Sequence, residues 1–191
     1  MLHYFMTSRT HDLGSFTLLN LFIISQSLPK MSIVTAFVAI MACFLGGLLP
    51  DIDKPSSDIW EKIPGGSLIG KLIQPFLGAH RHLSHSVVGL IIYGILVKLL
   101  LEYLGKFILV DMTVIWASFM IGVLSHLILD SLTKEGVPWL FPIDVHFKVM
   151  NIKTGSWGEK LIVFPGLIII NLFLIYTYYP TYLNLLHNFI N

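Results

Sequence analysis

Five apolar runs of helical length recur along the chain, at about residues 15–28, 31–49, 86–104, 113–132 and 161–179. A bilayer core takes roughly 20 residues of helix, so the last four predict membrane spans and the first is short for one. Leu28-Pro29-Lys30 separates the first two runs, because proline disfavours helical geometry at the residue before it, and the pair is expected as a helical hairpin. Two polar stretches, 51–85 and 133–160, interrupt the runs. Both are punctuated by Pro and Gly and are long enough to hold short helices or to cap a site. The expected architecture is all-α: a polytopic membrane bundle of four to five transmembrane helices, one domain over residues 1–191, with two polar loops capping one face. Arg9, a leucine-rich stretch and Ser25-Gln26-Ser27 also imitate a signal peptide, whose removal would discard His11.

Composition agrees with a membrane protein. Apolar residues make up 55% and charged residues 12% of the 191 positions, and the mean hydropathy is +0.79, too high for an ordinary soluble domain. The net charge of +1 is not gathered into a basic tract or an acidic tail, so nothing suggests a nucleic-acid surface. Membrane lipids are the expected surroundings. The only cysteine, Cys43, lies inside an apolar run, which leaves no disulfide framework and no thiolate zinc site. Any metal has to be held by His, Asp and Glu.

Those residues are not scattered. They fall at His11, at Pro50-Asp51-Ile52-Asp53, at His80-Arg81-His82-Leu83-Ser84-His85 and at His126-Leu127-Ile128-Leu129-Asp130, each at one end of an apolar run. Carboxylates and imidazoles are costly beside lipid, so repeated placement at membrane boundaries suggests that they work together. With helices alternating in direction, all four groups arrive on one face. Nine Lys and Arg share that face (Arg9, Lys54, Lys62, Lys71, Arg81, Lys134, Lys148, Lys153, Lys160) against three on the other (Lys30, Lys98, Lys106), which makes it cytoplasmic by the positive-inside rule.

Each group has its own chemistry. His126 and Asp130, four apart on a helix, share one face about a turn from each other, a spacing that suits two ligands of one metal. Three histidines in six residues, His80, His82 and His85, offer imidazole, the usual neutral ligand for zinc-type ions. Arg81 among them could bind a phosphate group as a bidentate donor. Asp51 and Asp53 alternate in an extended turn, which points one inward as a ligand and leaves the other as its supporting partner. His11 joins by its side of the membrane, and His146, Glu159 and Asp144 rank lower. Gly65 to Gly70 followed by Lys71 imitates a P-loop, but Leu72 stands where Ser/Thr is needed. No nucleophile elbow is present, including at Gly155-Ser156-Trp157-Gly158. Gly46 and Gly47 read as close helix packing.

The ordered motifs Thr10-His11, Gly46-Gly47-Leu48-Leu49-Pro50-Asp51-Ile52-Asp53, His80-Arg81 through Ser84-His85-Ser86 and Ser125-His126-Leu127-Ile128-Leu129-Asp130 resemble the YdjM-like family, inner-membrane proteins described as metal-dependent hydrolases, some of them LexA-regulated. The resemblance extends to 133–142 and 154–159. It also implies a distant similarity to zinc-dependent phospholipase C and related nucleases, whose ordered His, Asp, His and H-x-x-x-D ligands would correspond to His11, one of Asp51 and Asp53, His80 or His85, His126 and Asp130. His82 stands where the family more usually has glycine. Glu159 has no histidine four residues before it, so the later H-x-x-x-E pair of the phospholipases has no counterpart.

The functional expectation is a membrane-embedded, zinc-type metal-dependent hydrolase acting on a phosphoester, such as a phospholipid, at the cytoplasmic face. Its metal ligands would be drawn from His11, Asp51, Asp53, His80, His85, His126 and Asp130. Asp51 or Asp53 would orient water, and Arg81 would bind substrate charge. The alternatives are a metal-ion transporter or sensor, and a noncatalytic membrane protein with a structural metal. Transporters tend to hold ligands near the midplane on broken helices, whereas these lie at one end.

Overall fold

A computed structural model describes residues 8–25, 31–55, 57–61, 63–77, 82–143 and 145–190. Its described residues form α1 (Ser8–Ser25), α2 (Ile33–Leu48), α3 (Asp58–Glu61), α4 (Gly66–Leu77), α5 (Val87–Leu104), α6 (Met112–Ser131), α7 (Phe164–Thr177) and α8 (Tyr179–Ile190). Two short 3-10 turns, Leu49–Asp53 and Leu83–His85, and a π-helical turn, Glu159–Val163, carry site residues. Among the described residues, four helical segments are long and apolar enough to cross a membrane: Ile33–Asp53, Val87–Leu104, Met112–Ser131 and Glu159–Thr177. These match the four long apolar runs. The short first run instead belongs to α1, which begins well before residue 15 and takes His11 into the bundle.

α6 is the central helix. It packs on α1, α2 and α5, and half of its apolar window is buried, against 11% for α5 and for the segment leading into α7. The outward residues of α5, among them Ile91, Ile95, Leu96, Leu99 and Leu100, are exposed, as expected of a helix that meets lipid on most of its surface. Ser86 caps α5 by accepting from Gly89 N at 3.1 Å, and Asp111 caps α6 by accepting from Thr113 N and Val114 N. Each cap satisfies donors that a helix start leaves open.

Glycine sets the distance between α2 and α6. A Cβ on Gly46 would stand 2.1 Å from Phe119 O, and one on Gly122 would stand 1.9 Å from Cys43 O. The two backbones touch directly, the packing mode in which small residues replace side-chain layers. On the adjoining side, a Cβ on Gly14 would meet Leu129 Cδ1 at 2.4 Å and one on Gly47 would meet Ser15 Oγ at 2.6 Å, so α1 is also drawn close.

The second polar stretch folds back on the bundle. Val137 is fully buried with Val123 and Leu127, and Leu90, Tyr93, Phe119 and Trp139 pack around them. Val149 N donates to Ser131 O at 2.8 Å, Lys134 N to Ile152 O at 3.0 Å and Val87 N to Trp139 O at 3.0 Å. The loop therefore braces the ends of α5 and α6 that carry the polar groups.

Gly122→Ala is expected to destabilise the protein by about 1–3 kcal/mol through backbone overpacking, lowering its thermal midpoint in detergent. Gly166→Ala, inside α7 where an added Cβ meets nothing within 4 Å, should instead leave the midpoint unchanged or raise it, by up to about 1 kcal/mol of stability.

Candidate metal centre

The turn that ends the first span carries Asp51 and Asp53. Gly46 and Gly47 let α2 approach α6, and Pro50 opens the 3-10 turn Leu49–Asp53. Across from it, α6 presents His126 and Asp130 one turn apart, and the turn Leu83–His85 delivers His85 just before Ser86 starts α5. α1 lays His11 along α6. Its ring stacks on His126, with centroids 4.0 Å apart and planes at 12°, while the His85 ring meets His126 edge-on at 5.3 Å.

The ligand atoms face one another. His85 Nε2 lies 3.5 Å from Asp130 Oδ2 and 3.7 Å from Asp51 Oδ1. His126 Nε2 lies 3.7 Å and 3.8 Å from the same two oxygens. His11 Nε2 approaches the other carboxylate oxygen, Asp130 Oδ1, at 3.6 Å. Two sets, His11 with His126 and Asp130 and Asp51 with His85 and His126, each bring their ligand atoms within 4.8 Å of one another. Asp130 thus turns one oxygen to each side.

Hydrogen bonds fix which nitrogen of each histidine looks inward. His126 Nδ1 lies 2.6 Å from Gly47 O. A carbonyl only accepts, so Nδ1 carries a proton and Nε2 is the nitrogen that faces the carboxylates. That Nε2 is buried and makes no hydrogen bond. Behind His85, Ser84 Oγ donates to Asp53 Oδ2 and lies 2.9 Å from His85 Nδ1. Having given its proton to Asp53, the hydroxyl accepts from Nδ1–H, which turns an unprotonated His85 Nε2 to the cluster. Burial holds the His85 imidazole below its ordinary pKa, outweighing the opposing hydrogen bond of Asp53 and the charges of Asp130 and Asp51, so the neutral ring is favoured.

These carboxylate–imidazole separations lie within ion-pair range, and the same atoms could share a metal ion. Separations of 3.5–3.8 Å are too long for hydrogen bonds. Ligands around zinc at bonds of about 2.0–2.1 Å stand roughly 3.3 Å apart, so the nitrogen–oxygen separations need only a slight contraction. The residues fit a divalent cation with mixed nitrogen and oxygen ligands.

The neighbouring polar groups divide by role. Asp53 is fully buried on the far side of His85, with Oδ2 3.6 Å from Nδ1. It therefore stands behind a ligand and not among the converging atoms, although the sequence had offered it both as ligand and as the group that orients water. Glu159 is buried beside His11's helix, where Oε1 accepts from Thr10 Oγ1 at 2.7 Å and Oε2 from Gly155 N at 2.6 Å. His82 lies against Phe141, ring centroids 6.1 Å apart, and His146 is in the second polar loop; neither belongs to the two converging sets. His80, Arg81 and Asp144 lie outside the described residues. Sequence reasoning did not assign Ser84, Thr10 or the Gly47 carbonyl. Ser84 sits inside the quoted His80–His85 motif, so its position beside His85 was the available signal.

This arrangement accompanies a family match over nearly the whole chain. The model of the family described as YdjM inner membrane protein matches residues 6–185. The chain belongs to the YdjM family. It is 35% identical over 127 residues to "Inner membrane protein YdjM" of Escherichia coli (strain K12), covering 65% of this chain and 58% of that protein, and equally to the protein of that name from Shigella flexneri. It is 34% identical over 119 residues to "Uncharacterized protein YvsG" of Bacillus subtilis (strain 168), covering 62% of this chain and 66% of that protein. The chain thus spans about two thirds or less of the length of these relatives. No solved structure matches. YdjM membership and the four apolar helices support a multi-pass location in the inner membrane.

Ser84→Ala removes the link between Asp53 and His85. Its affinity for zinc, read by competition with a chromogenic chelator, is expected to fall about 10- to 100-fold. An unchanged affinity would show that His85 is not oriented through Ser84.

Proposed function

We propose that this YdjM-family protein is a metal-dependent hydrolase of the zinc type, cleaving a phosphoester at the cytoplasmic face of the inner membrane, with a phospholipid as the favoured substrate class. The observation that carries the reading is the pair of inward Nε2 atoms, His85 and His126, opposed to Asp51 and Asp130 oxygens at 3.5–3.8 Å. A divalent cation seated among these nitrogens and oxygens would balance the carboxylate charge and take the place of a proton on His126. His85, His126 and Asp130 would hold it, with His11 on the second oxygen of Asp130 and Asp51 beside the position left for water. Bound there, the ion supplies Lewis acidity, acidifying water and polarising a phosphoryl oxygen.

The chain's own groups would do the rest. Asp51 is the open member: its side chain is 32% exposed, while those of His85, His126 and Asp130 are 0–3% exposed. Substrate therefore reaches the site past Asp51, the carboxylate best set to orient the attacking water and accept its proton. Asp53, through Ser84, keeps the His85 ring turned inward. Arg81 would pair with the phosphate. Water adds to phosphorus, the ester P–O bond breaks, and the alcohol leaves with a proton. The cytoplasmic orientation rests on the excess of Lys and Arg on the side that carries the clusters.

The purified protein is expected to retain a divalent metal. His126→Ala and Asp130→Ala should each lose it, together with activity in a screen of phospholipids and soluble phosphoesters that uses Asp130→Ala as the blank. Stoichiometric metal in both variants would overturn the site, and metal uptake into proteoliposomes without phosphate-ester cleavage would replace hydrolysis with transport.

A further inference from the structure

The first polar loop contains a helix whose surface divides into three parts. At 100° per residue, Leu68, Ile69 and Leu72 of α4 occupy one arc of about 100°, and they are 64%, 41% and 65% exposed. Ser67 and Lys71, also exposed, form its polar border. Gly66 and Gly70 lie opposite and are buried, because this side rests on Trp60: a Cβ on Gly66 would stand 2.1 Å from Trp60 O, and one on Gly70 2.9 Å from the Trp60 ring. Trp60 Nε1 in turn donates to Ile52 O at 3.0 Å, in the turn that ends the first span.

That chain of contacts fixes where α4 is in relation to the bilayer. The segment leaves one apolar span at Asp53 and starts the next at Val87, so both of its ends are tethered to the same membrane face. α4 also packs directly against the turn that closes the first span. An apolar arc this open, held at that level and bordered by a lysine, has the form of a helix lying in the interface, with its leucines among acyl chains and its cation among anionic headgroups.

We propose that α4 docks in the plane of the protein's own bilayer, with Leu68, Ile69 and Leu72 facing the lipid. Through Trp60 and Ile52, this contact anchors at headgroup depth the turn that presents Asp51 and Asp53. The docking does not depend on hydrolysis or on bound metal.

Spin labels on single cysteines test the placement. Cys43 is buried, and Cys43→Ser, a change of one atom, provides the background. Leu68→Cys, Leu72→Cys and Ser67→Cys are each labelled in nanodiscs of phosphatidylethanolamine and phosphatidylglycerol at one copy per disc. The labels at 68 and 72 should collide with oxygen and lose collisions with a water-soluble nickel chelate, and the label at 67 should show the reverse. Chelate collisions equally frequent at all three sites would place the arc in water and overturn the proposal. Labels at 68 and 72 shielded from both reagents would overturn it in favour of a protein contact.

Discussion

The hydrogen bond from His126 Nδ1 to Gly47 O is the contact on which the polar cluster turns. It can form only because α2 and α6 meet backbone to backbone, and they do so because Gly46 and Gly122 carry no side chain at the crossing. A side chain there would push the helices apart by a layer of atoms, carrying the carbonyl away from the ring. The same approach brings the end of α2, and with it Asp51, over the last turns of α6. Packing geometry and ligand geometry are therefore one constraint.

Burying this much polarity among apolar helices has to be compensated locally. Asp53, His85, His126, Asp130 and Glu159 are all 2% exposed or less, and isolated charges in such surroundings are severely penalised. Two of the carboxylates are compensated by hydrogen bonds: Asp53 by Ser84, and Glu159 by Thr10 and the backbone of Gly155. Asp51 and Asp130 turn oxygens toward the inward ring nitrogens of His85 and His126 at 3.5–3.8 Å. On the proposed reading, a divalent cation would complete compensation of that second kind. The difference separates groups that hold the site from groups that face it.

Hydropathy made the bundle legible because lipid imposes a strong, continuous signal on four long segments, and the same signal exposed the clusters as interruptions at their ends. Direction of travel then brought His11, Asp51, His85, His126 and Asp130 to one side, where the structure brings them together. The distinction between Asp51 and Asp53 was visible only as alternation, which says that two side chains diverge and not which one points inward. Deciding that takes the Ser84 relay, a contact across 31 positions that leaves no periodic trace. His11 was expected to open the first helix, but the apolar run itself reads only from about residue 15 because Thr10, His11, Gly14, Ser15, Thr17 and Asn20 dilute the helix's apolar character. Those residues are what it buries.

α1 shows how a helix too polar to pass as a span can still be embedded in the bundle. Asn20 Nδ2 donates to Asn171 Oδ1 at 2.8 Å, and Asn171 Nδ2 donates to Thr17 Oγ1 at 2.7 Å, so α1 and α7 are joined by amide and hydroxyl groups. Between apolar helices in lipid there is little hydrophobic gain from association, and interhelical hydrogen bonds of this kind supply attraction and register. One end of α1 is held by this pair and the other by Thr10 on Glu159, where the chain enters the segment leading to α7. Two polar fastenings separated by about 10 residues, roughly 15 Å of helix, fix both the height and the rotation of α1. His11, one residue after Thr10, is thereby stacked on His126 and aimed at Asp130. The polar residues that conceal this helix from a hydropathy reading are the ones that set its histidine in place.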